Sequence, residues 1–128
     1  MTLVDTDVWI DCLRSIPAAM AWMQKNRSEQ CTIPSIVAME LVAGCQNQAE
    51  LVKTQKFLSA FEILWPEPTE SVLALDLLAK YKLSFGIGIP DCMIAAMALT
   101  RRLPLYSFNV KHFQPIAGLV LKQPYSRG

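Results

Sequence analysis

Short apolar runs, each too brief for a helix, alternate along this chain with helical segments, and this alternation restricts the fold more than any other feature. Leu3-Val4-Asp5, Cys31-Thr32-Ile33, Glu62 to Trp65, Leu105-Tyr106-Ser107 and Leu119 to Leu121 read as strands. Between them lie helices opened by recognisable starts. Asp7 is placed to cap a helix running to Leu13, and Pro17 falls in the first turn of a second, with Ala18, Ala21 and Trp22 as its inner stripe. The polar run from Lys25 to Gln30 closes that helix. Ser35 caps a third, ended by Gly44, and Glu50 to Phe61 forms a fourth with Lys53 and Lys56 outward. Thr69 to Lys82 forms a fifth, with Val72, Leu75, Leu78 and Ala79 expected to face inward. A loop from Leu83 to Ile89 follows, then a helix from Pro90 to Arg102. Asn109 opens a short turn or helix through His112 and Phe113, and the tail from Gln123 to Gly128 is expected to fray. Strands alternating with helices in this way specify an α/β fold: a central, mostly parallel sheet covered on both faces.

The length of 128 residues suits a single domain, 1–128, with a sizeable core. Hydrophobic residues make up 52% and charged residues 18%, an apolar excess that points to an oligomer or a stable partner. No apolar run reaches the ~18 residues of a membrane helix, and MTLVDTD lacks a basic secretory start, so a cytoplasmic protein without a membrane partner is expected. Cys12, Cys31, Cys45 and Cys92 show no metal-binding spacing and read as reduced core thiols. A net charge of +1 excludes nucleic-acid binding by bulk charge. Any such contact must come from local groups, among them Arg101 with Arg102 and Lys111 with His112.

Three acids stand out from this apolar background. Asp5 ends the first strand, Glu40 is the one charge in IVAMELVAG, and Asp91 opens the uncharged run CMIAAMAL. None has a Lys or Arg close by in sequence. Taken singly, Asp5 reads as a turn cap, Glu40 as a surface residue and Asp91 as a helix-dipole residue. A buried carboxylate without a partner must protonate, find a cation or bind a metal. Three that converge repel one another, and a hard divalent ion such as Mg²⁺ or Mn²⁺ relieves that repulsion. In parallel α/β folds ligands gather at the carboxyl ends of the strands, where Asp5, Ser107 and Asn109 fall.

Taken together, LVDTDVWIDCLR, IPSIVAMELVAG, GIPDCMIAAMAL and LPLYSFNVKHFQPIAGL resemble the motifs of PIN-domain proteins, specifically VapC-type ribonuclease toxins, from Leu3 to about Leu121. The resemblance implies a three-layer α/β/α domain and an Mg²⁺- or Mn²⁺-dependent endoribonuclease. It also implies a cognate VapB-type antitoxin and dimerisation through helices. By motif, Asp5, Glu40 and Asp91 match the family's first three acids. Asn109 falls where many members carry a fourth Asp and many VapC-like members an Asn. Ser107 falls where a Thr or Ser supports the site, and Thr6 follows the first acid. Asp7 replaces the more usual Ser or Asn, and is read here as a helix cap.

On this reading an ion held by Asp5 and Asp91, with Glu40 directly or through water, acidifies a water for in-line attack on an RNA phosphate, leaving 5′-phosphate and 3′-hydroxyl ends. An acidic rim also suits an Arg offered by an antitoxin. His112 reads as a phosphate contact or a structural residue rather than a base, and Trp9, Trp22 and Trp65 as core or interface anchors. Two readings compete. A receiver-like phosphoacceptor needs an Asp at the end of a middle strand, where this chain has Pro66. A catalytically silent PIN-like RNA-binding or regulatory module is kept open by Asn109.

Overall fold

The computed structural model describes residues 1–27 and 30–127. Part of the polar run expected to close the second helix, Ser28 and Glu29, and the last residue of the tail, Gly128, lie outside the described residues. The strands are β1 (Thr2–Val4), β2 (Cys31–Pro34), β3 (Ile63–Leu64), β4 (Leu105–Tyr106) and β5 (Leu121–Lys122). The helices are α1 (Thr6–Leu13), α2 (Pro17–Lys25), α3 (Ser35–Ala43), α4 (Gln48–Leu58), α5 (Pro68–Phe85), α6 (Ile89–Arg101) and α7 (Val110–Phe113).

The sheet runs β3-β2-β1-β4-β5, and every pairing in it is parallel. Leu3 pairs with Thr32 on one side and Leu105 on the other, and Val4 with Tyr106. The chain therefore winds outward from β1 through β2 to β3, then returns to the other side of β1 to lay down β4 and β5. The order reverses between β1 and β4, and the two chains diverge there into different helices. Helices cover the sheet on both faces. Leu3, Val4, Ile33 and Leu105 are fully buried between them, with Val8, Trp9, Val37, Ile94 and Ala95 from the helices. Trp9 is fixed by its indole N–H, which donates to the Val4 carbonyl at 2.9 Å, and by the edges of Phe57 and Phe61. Among the described residues no helix is long and apolar enough to cross a membrane.

The structure corrects several expected details. Asp5, not Asp7, caps α1: its carboxylate accepts from the Thr6 N–H at 2.7 Å. The inner stripe of α2 is Ala19 and Trp22, one residue away from Ala18 and Ala21. Helix α5 runs past Lys82 to Phe85 and stops at Gly86, whose φ of 69° only glycine adopts freely. Its buried stripe is Glu70, Ala74, Leu77 and Tyr81, leaving Val72 and Leu75 62% and 66% exposed and Leu83 98% exposed. Both stripes satisfy helical spacing; the polar Glu70 hid the true one. Trp65 is 64% exposed and anchors no core. The last strand is Leu121–Lys122 rather than Leu119 to Leu121.

Glu70 is fully buried, yet it has a cation beside it. Arg101 Nε and Nη2 donate to its two oxygens at 2.9 and 3.0 Å, and this guanidinium holds the Glu70 carboxyl below its usual range. The Glu67 N–H donates to Glu70 as well, at 2.7 Å, and Arg101 Nη2 reaches the Trp65 carbonyl. The pair thus fastens the start of α5 to the end of α6. Removing one partner strands the other charge. Arg101→Met is expected to destabilise the fold by about 3 kcal/mol in urea denaturation, with Glu70→Gln recovering part of the loss in the double variant.

Candidate active site

The site forms where β1 and β4 part. The last main-chain bond between them is Asp5 N–H to the Tyr106 carbonyl, at 2.9 Å. Beyond it, side chains take over. Ser107, fully buried, donates its hydroxyl to Asp5 Oδ2 at 2.7 Å and accepts from the Asn109 N–H at 2.9 Å. Its contact with Asp7 Oδ2 is longer, at 3.4 Å, and a single hydroxyl hydrogen serves Asp5 first. Asp7 Oδ2 is instead held by the Phe108 N–H at 2.9 Å, and Oδ1 by the Val8 N–H at 2.8 Å. So Asp7, expected only to cap a helix, ties the first turn of α1 to the turn after β4.

Glu40 and Asp91 enter from two other helices. Thr6 donates its hydroxyl to Glu40 Oε1 at 2.8 Å, which links α3 to the start of α1. Asp91 lies in the first turn of α6, and its Oδ2 accepts from the Gly88 N–H at 3.3 Å. The same oxygen lies 3.0 Å from His112 Nδ1, which in turn lies 3.0 Å from Asn109 Nδ2. Nδ1 cannot donate to Asp91 and accept from Asn109 at once; the bond to Asp91 requires the proton on Nδ1. Hydrogen bonds therefore join Glu40, Thr6, Asp5, Ser107 and Asn109 in one run and His112 and Asp91 in another, and the two runs abut where Asn109 meets His112.

Burial shapes the charges here. Asp5 is 6% exposed, and burial pushes its pKa up to about 7, with the neighbouring Asp7 and Asp91 charges adding to the shift. Ser107 and the Thr6 N–H work against that rise without cancelling it. Asp7 is raised too, chiefly by burial, while the Phe108 and Val8 N–H groups oppose the rise.

The donor set fits a hard divalent ion in kind. Glu40 Oε2 and Asp91 Oδ1 accept no hydrogen bond among the described residues, and Asp5 keeps lone pairs beyond its two bonds. Among the described residues no three acids, histidines or cysteines are grouped closely enough to hold a metal ion by themselves. An open set of one or two carboxylates completed by water is the usual habit of Mg²⁺.

The basic residues divide sharply. Lys111 is exposed on α7, beside His112, at this edge of the sheet. Arg101 and Arg102, expected as RNA contacts, end α6 roughly 15 Å along the helix from Asp91. Arg101 is moreover taken up by Glu70. Sequence reasoning also missed Tyr125 and Arg127. The tail expected to fray is docked: the Tyr125 hydroxyl donates to Asp11 Oδ2 at 2.7 Å, and Arg127 pairs with the same oxygen at 3.1 Å. An aromatic and an arginine in an otherwise polar tail were the only signal.

Residues 2–119 match the PIN domain. Ribonuclease VapC19 of Mycobacterium tuberculosis is 34% identical over 118 residues, covering 88% of this chain and 92% of that protein. A chain of a toxin-antitoxin complex from Klebsiella pneumoniae superposes with a TM-score of 0.76 at 27% identity, over 98% of this chain and 99% of that one. A chain of Rickettsia felis VapBC2, bound to a DNA fragment from its promoter, shares the fold with a TM-score of 0.81 at 22% identity, over 95% and 97%. A match over nearly the whole chain places it in a family: the chain belongs to the PIN-domain proteins, with VapC ribonucleases among its relatives.

Proposed function

We propose that this chain is a VapC-type toxin, an Mg²⁺- or Mn²⁺-dependent endoribonuclease that hydrolyses RNA phosphodiester bonds and is restrained by a cognate VapB-type antitoxin. The observation that carries the reading is that Asp5, at the point where the strand order reverses, is linked to Glu40 through Thr6 and lies within range of the Asp91 charge, although the three come from distant segments. Ligands of doubly wound sheets bind at that point. The similarity to VapC19, named a ribonuclease, supports the chemistry. The similarity to a toxin-antitoxin complex supports the partner.

Asp5 and Asp91 would hold the ion, with Glu40 joining directly or through water. When bound, the ion acidifies a water and screens the acids from the phosphate. The chain's own groups prepare the site. Ser107 fixes one Asp5 oxygen, Thr6 fixes one Glu40 oxygen, and His112 with the Gly88 N–H fixes Asp91 Oδ2. Asn109 acts through Ser107. Lys111 is placed to meet an RNA phosphate. The whole chain acts as one cytoplasmic domain. Val72, Leu75 and Leu83 on α5 leave apolar surface for a second copy of the chain or the antitoxin.

A silent RNA-binding module is the second reading, favoured by the neutral Asn109 and by His112 occupying one Asp91 oxygen. An RNA pool incubated with the purified chain separates the two. Cleavage with Mg²⁺, lost in EDTA and reduced about a hundredfold or more by Asp91→Asn, is expected, with 5′-phosphate products. Cleavage insensitive to chelator, or products ending in a 2′,3′-cyclic phosphate, overturns the metal mechanism; binding without cleavage favours the silent module.

The Asp5 shift makes a second prediction. Its carboxyl ionises near 3.8 in the unfolded chain and near 7 in the folded one. The folded state therefore favours the proton, and the stability this contributes is complete below the unfolded value and is lost as pH rises through about 7. Without metal, the thermal midpoint should fall as pH rises from about 4 to about 7, then level. Asp5→Asn should flatten that slope, and Mg²⁺ should raise the midpoint most at pH above 7.

A further inference from the structure

The two halves of the site are joined by very little main chain. After the Asp5 to Tyr106 bond, β1 runs into α1 and β4 into the turn that holds Ser107, Phe108 and Asn109. The C-terminal tail crosses this gap. The Tyr125 hydroxyl donates to Asp11 Oδ2 on α1, while its ring meets Phe108 edge-on with centroids 5.0 Å apart and tilts against Trp22 of α2 at 6.3 Å. Arg127 Nε and Nη2 reach Asp11 Oδ2 at 3.2 and 3.1 Å, Nη2 also donates to the Asp7 carbonyl at 3.2 Å, and the guanidinium carbon lies 4.1 Å over the Phe108 ring. The residues it grips lead straight to the acids: the Phe108 N–H holds Asp7, and Ser107 holds Asp5.

We propose that Tyr125 and Arg127 are positioning residues, a C-terminal strap that keeps the start of α1 in register with the turn after β4. Resting on the ribonuclease reading, the strap deepens it: without touching RNA, it sets the spacing between Asp5 and the groups that orient it. A planar, stacked guanidinium suits this task because one side chain binds a carboxylate, a carbonyl and a ring at fixed angles. Lysine keeps the charge but loses the fork.

The test uses the full chain as Tyr125→Ala/Arg127→Ala, with Arg127→Lys beside it. Amide hydrogen exchange reads the geometry and RNA cleavage reads its consequence. In the double variant the Thr6 and Phe108 amides should exchange about tenfold faster while Leu3 and Leu105, bonded within the sheet, keep their rates. The kcat should fall about tenfold with KM within about twofold, and Arg127→Lys should fall between. Unchanged exchange at Thr6 and Phe108 overturns the proposal. So does uniform acceleration reaching Leu3, the mark of lost global stability. A raised KM with kcat intact overturns it as well, because Arg127 would then contact RNA itself. If the unaltered chain cleaves no RNA, the ribonuclease reading fails, and the exchange rates alone still decide the strap.

Discussion

A carboxylate withdrawn from water at the edge of a parallel sheet sets the terms for everything around it. Asp5 sits at the end of β1, on the axis from which the chain winds in both directions, and is 6% exposed. Its bonds from Thr6 and Ser107 neutralise only part of the cost. Asp7 and Asp91 make the balance worse. The surrounding hydrogen bonds all serve to hold in place a group that the apolar core disfavours, a pattern expected where a fold gives up stability for chemistry.

The chain contains its own control for this argument. Glu70 is buried even more completely, but Arg101 reaches it across two helices and its charge is settled internally. The opposite directions of the two shifts follow: Glu70 is held low by its cation, and Asp5 is driven high by burial and like charges. One acid is a fastener between helices; the other has no cation of this chain among the groups that shift it. Burial alone does not distinguish a structural carboxylate from a reactive one. The presence or absence of a cation in the same chain separates these two.

Much of this was legible in the sequence, and what was not has specific causes. Alternating strands and helices indicated a parallel sheet, and Asp5, Glu40 and Asp91 stood out because charge is rare in apolar surroundings. Local spacing could not choose between the two possible stripes of α5, since Val72 and Leu75 satisfy the helical period as well as Ala74 and Leu77 do. Asp7 and Asp5 are both good caps; the choice depended on Ser107 and Phe108, which lie far along the chain. Arg101 looked like a free surface cation until Glu70 was placed beneath it. Contacts between distant segments are invisible to patterns read over a few residues, and the docked tail is the clearest instance.

Because every strand points the same way, the sheet has two unlike edges. Helices α1 and α3 and the turn after β4 leave from one edge, while the connections returning from helix to strand, such as Ser59 to Glu62 and Arg102 to Pro104, run along the other. That second edge carries none of the three acids. Its groups serve packing: Phe61 braces Trp9 and the Glu62 carbonyl accepts from Ile33, so changes there reach the molecule through stability and not through the acids.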